Sequence, residues 1–308
     1  MTESAKGSIV VCIGVATRDV IAVASDPVYP DGRILASEML DAGGGPAATA
    51  AVTLARLGVK TSFIGRIGAD LMGTLICDGL QRTGVDVAGL RLEPGGRSPA
   101  SVVVVNPVTA QRSIVTFPGE AYKIELDEGE LDACRNAQWI HVDQAGYNAL
   151  AQIRKAGITT PVSLDAGNPI PGLDLSLIDL YAPTQTSICR AMGYVEVEPA
   201  MKRALHLGPT IVAVTNGSNG SIAGASVNGE IKFFLAPPFR IPSLASTLGA
   251  GDVFHGALLA GLIYGMELPA ALQYANAAAA LSCRGVDGRT AIPNRSELDA
   301  FIAASAFD

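Results

Sequence analysis

The segment Ser246-Thr247-Leu248-Gly249-Ala250-Gly251-Asp252 (STLGAGD) stands directly before a long apolar run, VFHGALLAGLIYG. The run predicts a buried helix, and the segment forms the approach to its N-terminus. Glycine costs backbone entropy, so the pair Gly249 and Gly251 needs a reason; together with Ala250 they can turn their N–H groups into one concavity. A helix N-terminus adds about half a positive charge. The segment therefore predicts an anion hole suited to a phosphoryl group in transfer.

Asp252 lies at the edge of this anion hole. A carboxylate repels a phosphate, but it can accept a proton from a hydroxyl group that attacks the phosphorus. A simpler interpretation is a capped helix with a flexible approach. The segment is not a Walker loop, because no Gly-Lys-Ser/Thr follows, and a dinucleotide fingerprint would follow the first strand instead.

The length of 308 residues suits one large α/β domain, or one domain with a small appendage. With 49% hydrophobic and 17% charged residues, the chain can bury a sizeable core. The net charge of −7, without a basic run, argues against nucleic acid and anionic membranes as partners. No apolar stretch approaches the roughly 20 residues of a membrane span, and no signal peptide is predicted. Five cysteines without a close pair argue against a disulfide framework and a zinc site, and favour a cytoplasmic location.

Short buried strands alternate with helical segments along most of the chain. The predicted strands are 8–14, 61–65, 138–142, 161–165 and 210–215, and a helix over 47–57 follows Pro46. This alternation predicts a three-layer α/β/α fold with a mostly parallel sheet. In such sheets ligands bind beyond the carboxyl ends of the strands, where Gly43-Gly44-Gly45-Pro46 and the STLGAGD segment both lie.

Two regions break the alternation. Residues 17–40 hold two extended stretches around the turn at 30–32, and residues 98–117 read as a β-hairpin. We interpret these regions as a lid, a small β-layer that projects from the main sheet and serves as a cover or a dimer surface. The simpler interpretation is that they are edge strands.

The order of these motifs resembles the ribokinase-like, or PfkB, carbohydrate kinase family, over nearly the whole chain. GAGD (249–252) followed by VFHGA is specific to that family. GGGPAATAAVTLARLG (43–58), GDVFHGAL (251–258) and GRTAIP (288–293) are similar to its sulfofructose kinase branch, and TLGAGD and WIH (139–141) are similar to ketohexokinase.

The resemblance implies a role for each matching position. Asp252 would be the catalytic base, and Gly249, Ala250 and Gly251 would form the anion hole. The implied substrate-binding residues are Asp19, Gly44, Gly45, Thr49 and Arg112. Asp143 is a further substrate-binding candidate on different grounds, because it is a carboxylate at the end of a buried strand, although the same position also suits a purely structural carboxylate. The implied ATP-binding residues are Thr215, Gly217 and Gly220 in the loop 215–220, with Asn276 lining the adenine pocket.

The chain departs from the family pattern at two of these places. Thr49 stands where the family carries an asparagine, and a hydroxyl replaces only part of an amide's hydrogen bonding. Thr184-Gln185-Thr186-Ser187 stands where an Asn-x-x-Glu linked to magnesium is expected. No metal ligand is therefore assigned, and magnesium held through bridging waters is the remaining expectation.

A third departure concerns the substrate. Ala145 stands where the similar branches carry an arginine, and a bound sulfonate needs fixed positive donors. We therefore expect a neutral ketose or related polyol to be a better substrate than its sulfonated analogue. A cation from elsewhere, such as Arg33 or Arg97, would change that expectation.

Other polar and aromatic residues have simpler interpretations. His255 could be a second base, but we expect it to pack beneath the helix; His141 is expected to be a satisfied strand histidine, and Trp139 a core residue. Asp143 and Asp165 end buried strands, where carboxylates are costly unless they are paired.

The resemblance implies an ATP-dependent kinase that phosphorylates a hydroxymethyl group of a small sugar, with a ketose favoured. It implies ATP and Mg²⁺ as cofactors, and a monovalent cation such as K⁺ would be sought near the loop 284–289. Separately, the apolar edge of the projecting strands 17–40 and 98–117 predicts a homodimer joined through the lid. The alternatives are a sulfofructose kinase, a nucleoside kinase of the same fold, and a catalytically silent sugar- or nucleotide-sensing protein.

Overall fold

The computed structural model of the chain describes residues 9–26, 28–120 and 123–305. The strands in these ranges are β1 Ile9–Ile13, β2 Thr17–Val23, β3 Glu38–Gly44, β4 Lys60–Gly68, β5 Asp86–Glu93, β6 Ala100–Val105, β7 Arg112–Phe117, β8 Trp139–Val142, β9 Val162–Ala166, β10 Leu180–Pro183, β11 Ile211–Thr215, β12 Ser221–Val227 and β13 Glu230–Ala236. The α-helices are α1 Pro46–Arg56, α2 Leu71–Arg82, α3 Glu128–Asn136, α4 Leu150–Lys155, α5 Gln185–Met192, α6 Val197–Leu205, α7 Ala250–Ile263, α8 Leu268–Ser282 and α9 Arg295–Ser305.

The main sheet has nine strands in the order β13-β12-β11-β10-β9-β8-β1-β4-β5. It is parallel except at β12, which runs antiparallel to both of its neighbours. The predicted strands correspond to β1, β4, β8, β9 and β11, and the predicted helix 47–57 corresponds to α1; Ser8 lies outside the described residues. The predicted fold class is confirmed.

Helices cover both faces of this sheet. Successive residues of a strand point to opposite faces, and both faces here are apolar. Val10 and Cys12 of β1 face a core that α1, α2, α7 and α8 share. Val11 and Ile13 face a second core formed with α3, α4, α5 and α6. The sheet is therefore buried on both faces, as its nearly continuous apolar strands require.

Small residues bring α7 close to its neighbours. A Cβ atom on Gly256 would lie 2.7 Å from the Ala50 carbonyl oxygen of α1, and one on Gly261 would lie 3.1 Å from the Ala271 Cβ of α8. These contacts hold the N-terminus of α7 at the carboxyl edge of the sheet, beside the end of β9.

A second, small sheet has four strands in the order β3-β2-β6-β7. Its inner face carries Ile21, Val103 and Val105, which are buried against Leu248 of the STLGAGD segment and Val286 of the loop after α8. The two regions predicted as a lid form this sheet, although the second strand of the first region extends to Gly44, beyond the predicted end at residue 40. The small sheet therefore packs over the loops on either side of α7 and α8.

Among the helices of the described ranges, none is long and apolar enough to cross a membrane.

Candidate active site

The predicted anion hole lies at the N-terminus of α7, and its role stays a prediction. Gly249 adopts a left-handed conformation (φ 74°) as the N-cap, and no side chain caps the helix. Within the described residues, the backbone N–H groups of Gly251 and Asp252 have no hydrogen-bond acceptor. Gly251 is exposed, and a Cβ atom there would meet no atom within 4 Å. Free N–H groups at the positive end of a helix dipole fit an anion.

The loop after α8 fixes the turn at Gly249. A Cβ atom on Gly249 would lie 2.8 Å from the Gly288 Cα atom, so this position excludes a side chain by space as well as by conformation. The carboxylate of Asp287 holds the loop through hydrogen bonds from the backbone N–H groups of Arg289 and Thr290 and from the Thr290 hydroxyl.

Asp252 lies in the first turn of α7, and its side chain is half-buried. We call the region that it shares with Asp19 and Arg289 the cleft. Burial, reinforced by the negative charge of Asp165, raises the pKa of Asp252 to about 7, against the opposing charges of His255 and Arg289. A carboxyl group with a pKa near neutrality can exchange a proton with a substrate hydroxyl at physiological pH. Asp252 thus has the protonation chemistry of a general base.

The small sheet carries Asp19 into the same cleft. The Asp19 side chain is 7% exposed and accepts a hydrogen bond of 2.8 Å from the Thr17 hydroxyl. Burial raises the pKa of Asp19, against the effect of hydrogen bonds from Thr17 and Ser101. A Cβ atom on Gly44 would lie 2.0 Å from Asp19 Oδ2, so the glycine leaves the space that this carboxylate occupies.

The chain then turns sharply into α1 at Gly45. Gly45 has a φ of 94°, and a Cβ atom there would lie 2.3 Å from the Val15 carbonyl oxygen. Pro46 follows as the first helical residue. The predicted glycine motif therefore brings β3 and α1 against the end of β1.

Arg289 is a cation of the cleft that sequence reasoning missed. Its Nε donates to the Thr49 hydroxyl over 3.1 Å, and its Nη2 donates to the Gly44 carbonyl over 2.5 Å. Burial lowers the pKa of Arg289 to about 10, against the carboxylates of Asp19, Asp252 and Asp287, so the guanidinium stays charged. The sequence carried a signal for this arginine, because Arg289 lies in GRTAIP (288–293), a segment that resembles the family.

This arginine changes two expectations from the sequence. Thr49 is 1% exposed and its hydroxyl accepts from Arg289, so it supports the guanidinium rather than facing the open cleft. Of the cations proposed to offset Ala145, Arg33 is exposed between β2 and β3, and Arg97 pairs with Glu120, whereas Arg289 lies beside Gly44 and Thr49.

The substrate-binding role predicted for Asp143 stays a prediction, and in the structure its carboxylate is occupied by backbone groups. Its side chain is fully buried and accepts hydrogen bonds from four backbone N–H groups. The donors are Val15, Ala47, Ala145 and Gly146. Asp143 therefore ties the ends of β1 and β8 to the start of α1, because a buried carboxylate must have its oxygens satisfied.

Arg112, predicted from the hairpin, reaches from β7 to the STLGAGD segment. Its Nη1 donates to the Thr247 hydroxyl over 2.8 Å. This bond links the edge of the small sheet to the approach of α7.

The predicted nucleotide loop follows β11 at the same edge of the main sheet. Gly217 and Gly220 both have positive φ, and the segment between them forms a short 3₁₀ turn next to Thr215. Asn276 on α8 is 8% exposed; its amide donates to the carbonyls of Ala236 and Pro237 and accepts from Ser221. In the chain as described, this amide holds the strands beside the loop, and direct nucleotide contact by Asn276 stays a prediction.

In the described ranges, no three acidic, histidine or cysteine side chains cluster in a way that could hold a metal ion. Thr184 caps α5, and its hydroxyl lies 2.8 Å from the Ser187 hydroxyl. This neutral set, without a carboxylate, fits a magnesium ion that keeps its waters and is held mainly by substrate phosphates.

Comparison with known proteins decides the family. The model of the pfkB family of carbohydrate kinases matches residues 8–295. The chain belongs to the pfkB carbohydrate kinase family. As a member of that family, the protein is a phosphotransferase with an alcohol group as acceptor.

Several relatives are similar along most of their length. Ribokinase of Arabidopsis thaliana is 29% identical over 83% of this chain and 70% of its own. The ATP-dependent ribose-1-phosphate kinase of Halopiger xanaduensis is 27% identical, covering 89% of this chain and 90% of that protein. Fructokinase of Klebsiella pneumoniae is 28% identical, covering 88% of this chain and 94% of that protein. The structure of Arabidopsis thaliana ribokinase with ribose and ATP has a TM-score of 0.82 and 27% identity, covering 96% of this chain and 98% of that one.

Proposed function

We propose that the protein is an ATP-dependent kinase that phosphorylates a hydroxymethyl group of a small sugar, with a ketose as the favoured substrate. The observation that carries this proposal is the cleft in which Asp252, the free N–H groups of the α7 N-terminus and the pair Asp19 and Arg289 come together. A base, an anion hole and polar groups for sugar hydroxyls are the parts that phosphoryl transfer to an alcohol requires.

The chemistry of these residues follows from their placement. Asp19 and its hydrogen-bonded partners accept from sugar hydroxyls and orient the sugar. The ionised Asp252 accepts the proton of the attacking hydroxyl as its oxygen forms a bond to the γ-phosphorus and the bond to the β-phosphate oxygen breaks. The N–H groups of Gly251 and Asp252 stabilise the negative charge on the transferring phosphoryl oxygens.

ATP and Mg²⁺ are the proposed cofactors. The nucleotide would lie along the loop 215–220, which opens at the same sheet edge as α7. The similarity to a ribokinase solved with ribose and ATP supports this assignment. Dependence on a monovalent cation stays a prediction, checked by comparing activity in KCl with activity in NaCl.

The test is a screen of ATP turnover with neutral ketoses, aldoses, phosphorylated sugars and nucleosides. We expect ADP formation that depends on a sugar, with the highest kcat/KM for a ketose; the similarity to a fructokinase supports that order. Highest turnover with a nucleoside would favour the nucleoside kinase alternative. Nucleotide or sugar binding without ADP formation would favour the silent sensing protein and contradict the proposal.

A sugar that carries an anionic group is the second candidate, and Arg289 favours it. The guanidinium keeps its charge in the cleft, and no acceptor for its Nη1 occurs within the described residues. Charged donors of this kind bind phosphate or sulfonate groups well. The similarity to a ribose-1-phosphate kinase supports this candidate as well.

Arg289→Gln separates the two candidates when an anionic sugar is compared with its neutral parent. A larger loss of kcat/KM for the anionic sugar would show that Arg289 binds the anion. An equal loss for both sugars would show that Arg289 only holds β3 and α1 in place. The matched control is Arg284→Gln, because Arg284 lies in the same loop but pairs with Glu297 at the surface.

The cellular location also belongs to the proposal. All five cysteines are free thiols, which is typical of proteins in a reducing compartment and supports the cytoplasm.

A further inference from the structure

Two buried ionisable side chains lie beneath Asp252 with no role in the steps described above. His255 follows Asp252 by one helical turn of α7, and Asp165 lies at the end of β9. His255 Nδ1 and Asp165 Oδ2 are 2.8 Å apart, and each residue is 5% exposed. The two side chains are in direct contact and join α7 to the main sheet.

The two charges depend on each other. Burial disfavours both charged forms, yet the Asp165 carboxylate raises the pKa of His255, and the His255 imidazolium lowers the pKa of Asp165. A lone charge at this depth would be costly, whereas a pair compensates part of its desolvation. Asp165 also accepts a hydrogen bond of 2.9 Å from the Gly167 backbone, which fixes its orientation.

A second histidine lies next to the pair but differs in charge. The ring centroid of His141 on β8 is 6.4 Å from that of His255, and its Nδ1 is 3.2 Å from the Ser163 hydroxyl. Burial and the charge of His255 lower the pKa of His141 to about 4. His141 is therefore neutral and serves as a matched comparison for His255.

We propose that the Asp165–His255 ion pair is a positioning pair for the catalytic base: it anchors the first turn of α7 to the end of β9 and supplies two opposite charges that act on the Asp252 carboxylate. This inference rests on the proposed function, in which Asp252 is the base. The other charged groups that act on Asp252 are Arg289, from the loop after α8, and Asp143, from the end of β8.

The charges predict shifts of opposite sign in the pH dependence of kcat/KM. Asp165 raises the pKa of Asp252 and His255 lowers it. His255→Gln leaves the negative charge of Asp165 uncompensated, so activity should begin to rise at a pH roughly one unit higher than in the wild type. Asp165→Asn removes the larger of the two effects on the pKa of Asp252, so the rise in activity should begin at a lower pH than in the wild type. In the double variant the upward shift should disappear, because it depends on the Asp165 carboxylate.

The experiment measures these profiles together with the charge of His255 by NMR. The chain has three histidines, of which His206 is exposed, so each ring signal can be assigned with single variants. We expect an imidazolium signal from His255 near neutral pH that is lost in Asp165→Asn, and no shift of the pH profile in His141→Gln. Thermal unfolding of each variant reports whether it folds.

Three results would overturn the inference. They are a neutral His255 in the wild type, a shift of the same sign in both single variants, and reduced activity with an unshifted profile in folded variants. Failure of the proposed function is a separate outcome, seen as no sugar-dependent ADP formation by the wild type or as full activity of Asp252→Asn. The NMR measurement decides the charge of the pair in either case.

Discussion

Asp252 can act as a base only while its carboxyl group is ionised. Because burial and Asp165 raise its pKa to about 7, the deprotonated form prevails only above that pH. We expect kcat/KM for the sugar to rise with pH through about 7 and to level off above it. The measurement is a profile with saturating nucleotide between roughly pH 5 and 9. A profile that is flat through neutrality would contradict the role of Asp252.

Gly44 provides a second test of the cleft. Gly44→Ala would place a methyl group 2.0 Å from Asp19 Oδ2 and would displace the carboxylate. We expect kcat/KM to fall roughly tenfold or more, because a small misplacement of a substrate-orienting group is costly. The matched control is Gly79→Ala on α2, where a Cβ atom meets nothing within 4 Å. Equal activity of both variants would show that Asp19 does not orient the sugar.

Individual side chains show where the sequence was informative. The candidate anion hole and Asp252 could be picked out from the sequence because they lie within seven consecutive residues. Arg289 was not picked out, because its guanidinium reaches Thr49 across 240 positions of the chain. The environment of Asp143 could not be predicted, because a carboxylate at the end of a strand has the same sequence pattern whether it faces a ligand or backbone N–H groups.

Arg112 links two elements, the edge strand β7 and the approach to α7. Arg112→Ala removes the bond to Thr247, so we expect the small sheet to close less firmly and the KM of the sugar to rise by a few-fold, about 1 kcal/mol for one hydrogen bond. Steady-state kinetics with varied sugar measure this effect. The control is Arg82→Ala, an exposed arginine at the end of α2. An unchanged KM would show that the bond has no part in closure.

The strands and helices were predictable to different degrees. Buried parallel strands such as β1 and β8 are short continuous apolar runs, which the sequence shows directly. The antiparallel pair β12 and β13 was not predicted, since Gly224 and the polar residues of β13 interrupt its apolar pattern. The packing of the small sheet on Leu248 and Val286 depends on contacts distant in sequence.

The outer face of the small sheet is apolar, and no other part of the described chain covers it. Val102 is 53% exposed, Val115 is 73% exposed and Met39 is 66% exposed. Such a face is a liability in solution unless another surface covers it, so we predict a homodimer joined through this sheet. Light scattering at micromolar concentration should give twice the mass of the chain.

Two lysine variants localise that interface. Val115→Lys places a charge on the outer face and should shift the dimer towards monomer. Val108→Lys adds the same charge at an equally exposed position in the turn between β6 and β7 and should leave the dimer intact. A wild-type monomer, or the same mass for both variants, would contradict the proposed interface.

Turnover by Asp252→Asn tests the proposed kinase mechanism most directly. The variant removes the base but keeps the size of the side chain and the free N–H groups of α7. With the best sugar of the screen, we predict that ADP formation falls roughly a hundredfold or more while the fold and nucleotide affinity stay at the wild-type level. Asp132→Asn, at an exposed site on α3, is the control for the substitution itself. Turnover by Asp252→Asn within a factor of a few of the wild type would contradict the assignment of Asp252 as the catalytic base.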